Sequence, residues 1–177
     1  IASAPKRRVA TALRRSLDAW RAGAQMVALF AARNAGVKVP QEAIDRGRAY
    51  LISCQDSSGG FGYTTASGAN LPRSAIGSLI LSLAKDTDSD AYKNSVEYLK
   101  KNAKFGDSGH KFYSLYYTSQ AIFRTNASFW NSWNSQNFKR LQSTQVDDGS
   151  WNGSYGKTFC TSAALLSLAL NYRYLPI

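Results

Sequence analysis

Apolar residues in this chain recur at three- and four-residue steps rather than at alternate positions, and that period predicts seven helices. The first spans about Val9 to Ala32, with Leu13, Leu17, Trp20, Ala24, Val27, Phe30 and Ala31 on its stripe. Gly36 and Pro40 break it. The second begins at Pro40, a favoured first-turn residue, and places Ile44, Leu51 and Cys54 on one face. A Gly/Ser/Thr/Asn loop from Ser57 to Asn70 leads to the third, which opens near Pro72 and carries Ala75, Ile76, Leu79, Ile80 and Leu83. The fourth follows an acidic loop and aligns Tyr92, Val96, Leu99 and Ala103. The fifth runs from about His110 to Arg124, and the sixth from Phe129 to Thr144 with Trp130, Trp133, Phe138 and Leu141. The seventh, Thr158 to Leu170, is apolar nearly all round, which predicts burial on every side. The more apolar members (first, third, fifth, seventh) are expected to form an inner layer, and the other three an outer one.

The boundaries between helices contain a repeat. Gln55-Asp56-Ser57-Ser58-Gly59-Gly60-Phe61-Gly62-Tyr63 matches Gln145-Val146-Asp147-Asp148-Gly149-Ser150-Trp151-Asn152-Gly153. Each copy follows a leucine four residues before its glutamine, Leu51 and Leu141. A degenerate copy lies between them, with Leu99, then Ala103 at the glutamine position, then Phe105-Gly106. A period of roughly 40–50 residues is the mark of a stacked helical array. The repeat residues have a structural task. A glutamine amide can tie a helix end to the following turn, glycine permits a left-handed backbone, and the aromatic covers the junction. This assigns Gln55, Gly59, Phe61, Gln145, Asp148, Gly149 and Trp151 to the architecture rather than to catalysis.

The turns resemble the Gln-Trp repeat of the squalene/oxidosqualene cyclases and related protein prenyltransferases. Gln145, Asp147, Asp148, Gly149 and Trp151 carry the likeness most fully. The tail, Ala163-Ala164-Leu165-Leu166-Ser167-Leu168 and then Tyr172 to Ile177, resembles the ending of bacterial prenyltransferase/squalene-oxidase repeat proteins. The likeness covers roughly Gln41 to Ile177. It implies an all-α fold, an α/α toroid of inner and outer helices around a hollow. Seven helices make a partial or half ring, so residues 1–177 read as a single repeat domain, a truncated or processed part of a longer ring or a half ring completed by a protein partner or a second copy.

The chemistry of the resembled enzymes lacks its residues. Protonating cyclisation needs an Asp-rich motif on an inner helix. Asp86, Asp88 and Asp90 come nearest, but they sit in a loop. Zinc-dependent prenyl transfer needs an Asp, Cys and His set, and the single histidine, His110, has no such company. Asp86, Asp88, Asp90 and Glu97 have the spacing of a calcium loop. Ala91 stands where the sharp turn wants glycine, so the segment reads as a helix start with Asp88, Ser89 or Asp90 as cap. No cofactor follows. The fifth helix is rich in aromatics. On an inner helix, Tyr113, Tyr116, Tyr117 and Gln120 would line a cavity suited to prenyl chains through quadrupole and dispersion contacts. His110 reads as a cap or surface residue.

Charge adds a second kind of partner. The formal balance is +11, and Lys6, Arg7, Arg8, Arg14, Arg15 and Arg21 concentrate it early, which favours an anionic membrane surface or polymer. No nucleic-acid-binding motif accompanies it. Cys54 and Cys160 make no disulfide framework and read as buried thiols. Ile1 replaces an initiating Met, and Ile1-Ala2-Ser3-Ala4-Pro5 suits the surroundings of a signal-peptidase site, so an exported product is one expectation. Asn126-Ala127-Ser128 and Asn152-Gly153-Ser154 are glycosylation sequons. The functional expectation is a repeat module that binds an isoprenoid-like ligand or a protein segment in its concavity without a recognisable catalytic motif. A cyclase or prenyltransferase whose acid or metal site lies outside this span, and a basic membrane or polymer module, are the alternatives.

Overall fold

The computed structural model describes residues 19–104 and 110–172. Over these residues the chain forms seven α-helices: α1 (Ala19–Asn34), α2 (Gln41–Ser53), α3 (Leu71–Leu83), α4 (Asp90–Asn102), α5 (Lys111–Phe123), α6 (Ala127–Thr144) and α7 (Lys157–Ala169), closed by a 3-10 turn at Leu170–Tyr172. The one β-type contact among them is an isolated bridge between Gln55 and Phe61. The protein is all-α, as its periodicity predicts. The first expected helix before Ala19, the early basic residues Lys6, Arg7, Arg8, Arg14 and Arg15, Phe105-Gly106 of the middle repeat copy and the tail from Arg173 lie outside the described residues.

Helix starts follow local chemistry. Asn70 accepts from the Arg73 amide at 3.1 Å, Ser89 from Tyr92 at 3.2 Å and Asn126 from Phe129 at 2.9 Å. Each such cap contributes about 1 kcal/mol by satisfying an amide the helix leaves over. The acidic loop therefore serves as a helix start, with Ser89 as the cap of α4. Asp86 pairs with Arg48 of α2 at 3.2 Å. Asn126, the first residue of one sequon, is engaged in the cap of α6.

Packing orders the helices. α1, α3, α5 and α7 lie each against the next, and α2, α4 and α6 flank them. Small residues let the first of these approach closely. A Cβ on Gly23 would meet Ile76 Cγ2 at 2.2 Å, and one on Gly47 would meet Met26 Sδ at 2.2 Å. α3 is the most enclosed helix, with every residue from Ser74 to Leu81 buried. The core divides into three clusters, one around each repeat junction. Phe61 joins Met26, Leu51, Ile76, Ile80 and Val96. Leu99 joins Leu79, Ile122, Trp130 and Trp133. Trp151 joins Phe112, Leu141, Cys160 and Ala164. Cys54 and Cys160 are buried free thiols.

Two expectations about burial fail. Phe138 of α6 is 55% exposed, because the buried stripe runs through Trp130, Trp133, Asn137 and Leu141 and leaves Phe138 beside it. α7 is not enclosed on all sides, since Leu165 is 53% and Phe159 40% exposed. Uniform apolarity signals enclosure only where neighbours stand on both flanks, and among the described helices α7 packs mainly on α5.

Candidate functional site

The two intact turns are superposable in their hydrogen bonds. In the first, the Asp56 amide donates to Gly60 O at 2.9 Å and the Gly59 amide to Asp56 O at 3.0 Å. In the second, Val146 donates to Ser150 O at 2.9 Å and Gly149 to Val146 O at 2.8 Å. Gly59 and Gly149 hold φ of 85° and 80°, a left-handed conformation that costs a side-chain-bearing residue about 1–2 kcal/mol. Each glutamine Nε2 donates to the glycine carbonyl, at 2.9 Å from Gln55 and 2.7 Å from Gln145. The aromatic amides donate across to the next helix, Phe61 to Ser74 Oγ at 2.9 Å and Trp151 to Thr161 Oγ1 at 3.1 Å. The Trp151 indole donates to Leu141 O at 2.9 Å. These contacts stitch a helix end, a turn and the following helix together. Asp148 holds Ser150 and Lys157. The Lys157 ammonium first, and the Ser150 hydroxyl next, hold its carboxyl down at about 2.

α5 separates two surfaces. On one, Tyr113, Tyr116 and Tyr117 are half-buried and stacked edge to face, with ring centroids 5.0 Å apart for Tyr113–Tyr117 and 4.9 Å for Tyr116–Tyr117. The cluster extends through Tyr155, 6.4 Å from Tyr113, to Phe159, 5.1 Å further. His110 lies beside it, with Nδ1 and the Tyr155 hydroxyl 2.5 Å apart. Burial first, and the Tyr116 phenol next, push the Tyr117 hydroxyl upward from its ordinary pKa, so it stays a neutral phenol at physiological pH. Gln120 is buried, and its Nε2 donates to Tyr116 O at 3.2 Å. It therefore sits beneath the tyrosines instead of beside them on the open face.

The opposite surface of α5 borders a cavity of about 320 Å³. Phe112, Leu115 and Thr118 of α5 face Trp133, Asn137 and Leu141 of α6 across it, and Leu71 and Pro72 of α3 close one side. Asn137 is 1% and Thr118 2% exposed. Asn137 Nδ2 donates to Ser167 Oγ at 3.3 Å, while Asn137 Oδ1 and Thr118 Oγ1 have no protein partner. A buried oxygen left without a donor costs about 1–3 kcal/mol. Lys104, His110, Lys111 and Arg140 also line the cavity, with no carboxylate among the described residues that border it. None of Tyr113, Tyr116, Tyr117 or Gln120 borders it. The sequence reading missed Asn137 and Thr118. Their one signal is polarity in place of an apolar residue, on the α6 stripe of Trp130, Trp133 and Leu141 and on the buried face of α5.

Among the described residues, no group of three or more His, Cys, Asp or Glu is arranged to hold a metal ion, and no helix is long and apolar enough to cross a membrane. Comparison of the chain with protein-family models, with curated proteins and with solved structures returns no match.

Proposed function

We propose that the chain is a terpene cyclase/prenyltransferase-like repeat module whose helices curve into part of an α/α toroid, and that it binds an isoprenoid-like ligand on the aromatic face of α5. The observation that carries this reading is the contiguous patch of Tyr113, Tyr116, Tyr117, Tyr155 and Phe159. Its neighbouring rings lie with centroids 4.9–6.4 Å apart, and Tyr155 and Phe159 are open to solvent. Such a surface offers dispersion contact and negative ring faces to a branched, polyunsaturated chain. Tyrosine hydroxyls supply one polar handle at its edge. The patch is built of aromatic and phenolic side chains, which support binding of such a chain.

The test is titration of the purified protein with a fluorescent farnesol analogue. Saturable binding is expected, weakened about tenfold, the value of one good contact, by Tyr116→Leu with an unaltered far-UV spectrum and melting midpoint. Absence of saturation in the wild type would overturn the proposal, as would equal affinity of Tyr116→Leu and Tyr155→Leu with the parent. Turnover of the analogue to a new product would move the protein to the enzyme reading.

A further inference from the structure

We propose that Asn152-Gly153, just after the second glutamine turn, is a site of spontaneous covalent modification in the folded protein, where the asparagine amide is lost through a cyclic imide and replaced by aspartate or isoaspartate.

The chemistry needs an asparagine whose next backbone nitrogen can reach its side-chain carbon. The Gly153 nitrogen gives up its proton to solvent base and attacks Asn152 Cγ. The new C–N bond closes a five-membered ring, the Cγ–Nδ2 bond breaks, and ammonia leaves. Water then opens the ring at one of its two carbonyls. Opening at Cγ gives aspartate, and opening at the backbone carbon gives isoaspartate. Glycine is the residue that least obstructs the attack, having no Cβ and the widest backbone freedom. Asn152 is the one asparagine of the sequence that precedes a glycine.

The fold leaves this pair open. Both residues are exposed and lie outside any helix. Among the described residues, neither the Asn152 side chain nor the Gly153 amide has a hydrogen-bond partner, so no bond has to break before the ring closes. Other asparagines are held. Asn70 and Asn126 cap helices. Asn102 donates to Tyr98 O, Asn134 to Asn171 and Asn137 to Ser167. Asn34, Asn94 and Asn131 lie within helices. The first turn offers a direct contrast. Gly62 holds the register of Asn152, and its amide donates to Cys54 O at 2.9 Å. The second turn has no such tie among the described residues.

Packing explains the glycine. A Cβ at position 153 would come within 3.0 Å of Cys160 Sγ and 3.1 Å of Phe112 Cδ2, both in buried side chains. Close approach thus favours the residue type that makes the preceding asparagine labile. The product changes the main chain as well as the charge. Isoaspartate adds one methylene to the backbone between two anchored residues. Trp151 is tied to Leu141 O and Thr161 Oγ1, and the Tyr155 hydroxyl lies 2.5 Å from His110 Nδ1. The longer path should therefore displace Tyr155 from His110. This reaction involves no ligand and proceeds whether or not the tyrosine face binds one.

The experiment incubates the purified chain, folded and in denaturant, at mildly acidic and mildly alkaline pH, and maps its peptides by mass and by retention against synthetic aspartyl and isoaspartyl standards. Conversion is expected first in the Asn152 peptide, with both products and ammonia release, and faster at alkaline pH. The folded rate should lie within about tenfold of the denatured rate, the retardation that one opposing hydrogen bond would impose. Asn152→Gln, whose ring would have six members, should abolish early conversion without changing the melting midpoint. Gly153→Ala should slow it, and the folded-to-denatured ratio of the wild type stands as a measure even if Gly153→Ala does not fold. Conversion seen only in denaturant, or first at another asparagine of the folded chain, would overturn the proposal. His110 ring resonances that stay in place in the isoaspartyl fraction would overturn its coupling to Tyr155.

Discussion

The turn at Gln55 and the turn at Gln145 share a backbone and differ in what covers them. Gln55 Nε2 makes a second donation, to Ala91 O of α4 at 2.8 Å. Gly59 lies under the same helix, where an added Cβ would come within 2.4 Å of Asn94 O, and Gly60 lies under the Tyr98 ring at 2.6 Å. At the other copy, Gln145 is exposed and donates to Gly149 O. A Cβ on Gly149 would meet nothing nearer than Gln145 Nε2 at 3.8 Å, and Ser150 occupies the position of Gly60. Both knots are tied to the helix that follows them, and among the described residues the Gln55 copy is in addition locked beneath a further helix, α4. The lesson is that the turn closes by its own chemistry, and that a second helix laid over it, as α4 is over the Gln55 copy, adds cohesion to closure.

Glycine replacement should break this pair apart most clearly. Gly59→Ala combines left-handed strain with a collision against α4 backbone, and should destabilise the fold by about 3–5 kcal/mol. Gly149→Ala meets the strain alone and should cost about 1–2 kcal/mol. Paired chemical denaturation measures both, and equal losses would show that Gly59 is not pinned beneath α4.

Glutamine truncation comes next. Gln55→Ala removes two hydrogen bonds and leaves Ala91 O beside a partly buried gap, for about 2–3 kcal/mol, whereas Gln145→Ala removes one bond in water, for about 0.5–1 kcal/mol. Hydrogen exchange should localise the first loss to the start of α4 as well as to the turn. A double replacement of Gln55 and Ser74 should be non-additive, since Ser74 Oγ both receives the Phe61 amide and donates to Asn70 O at 2.7 Å. Additive losses would uncouple the two sides of that turn.

The smallest effect is a difference in acid response. Ser58 foremost lowers the Asp56 carboxyl, with burial opposing it, while Lys157 and then Ser150 lower that of Asp148 to about 2. Both folded-state values lie below their unfolded ones, so each carboxylate contributes stability that is complete above about pH 4 and lost as pH falls through the folded value. Lys157→Gln should raise the Asp148 titration in a carboxyl NMR experiment and leave Asp56 where it is. High salt should mimic Lys157→Gln at Asp148, because that pair is exposed. A parallel shift of Asp56 would refute the independence of the two turns.

Much of this contrast was visible before any coordinates. Leu51, Leu99 and Leu141 of the three repeat copies are all buried, and α2 and α6 end at the turns that their sequence foretold. The sites were less legible. Tyr113, Tyr116 and Tyr117 do gather on one side of α5, but their extension to Tyr155 and Phe159 joins residues about forty positions apart and has no local signature. Asn137 is a single polar residue on an apolar stripe, and a sequence cannot tell a satisfied core amide from one that faces a cavity.

By itself the chain determined its helices, their caps and its turns, because 3.6-residue periodicity, a side-chain cap and a glycine with positive φ are properties of a few consecutive residues. Tertiary structure decided the rest. Which glutamine would reach a second helix, which face of α5 would meet a cavity, and that the apolar α7 would keep Phe159 and Leu165 exposed all depend on which surfaces meet. Those meetings are fixed by burial and close packing summed over distant residues, which no short window of sequence contains.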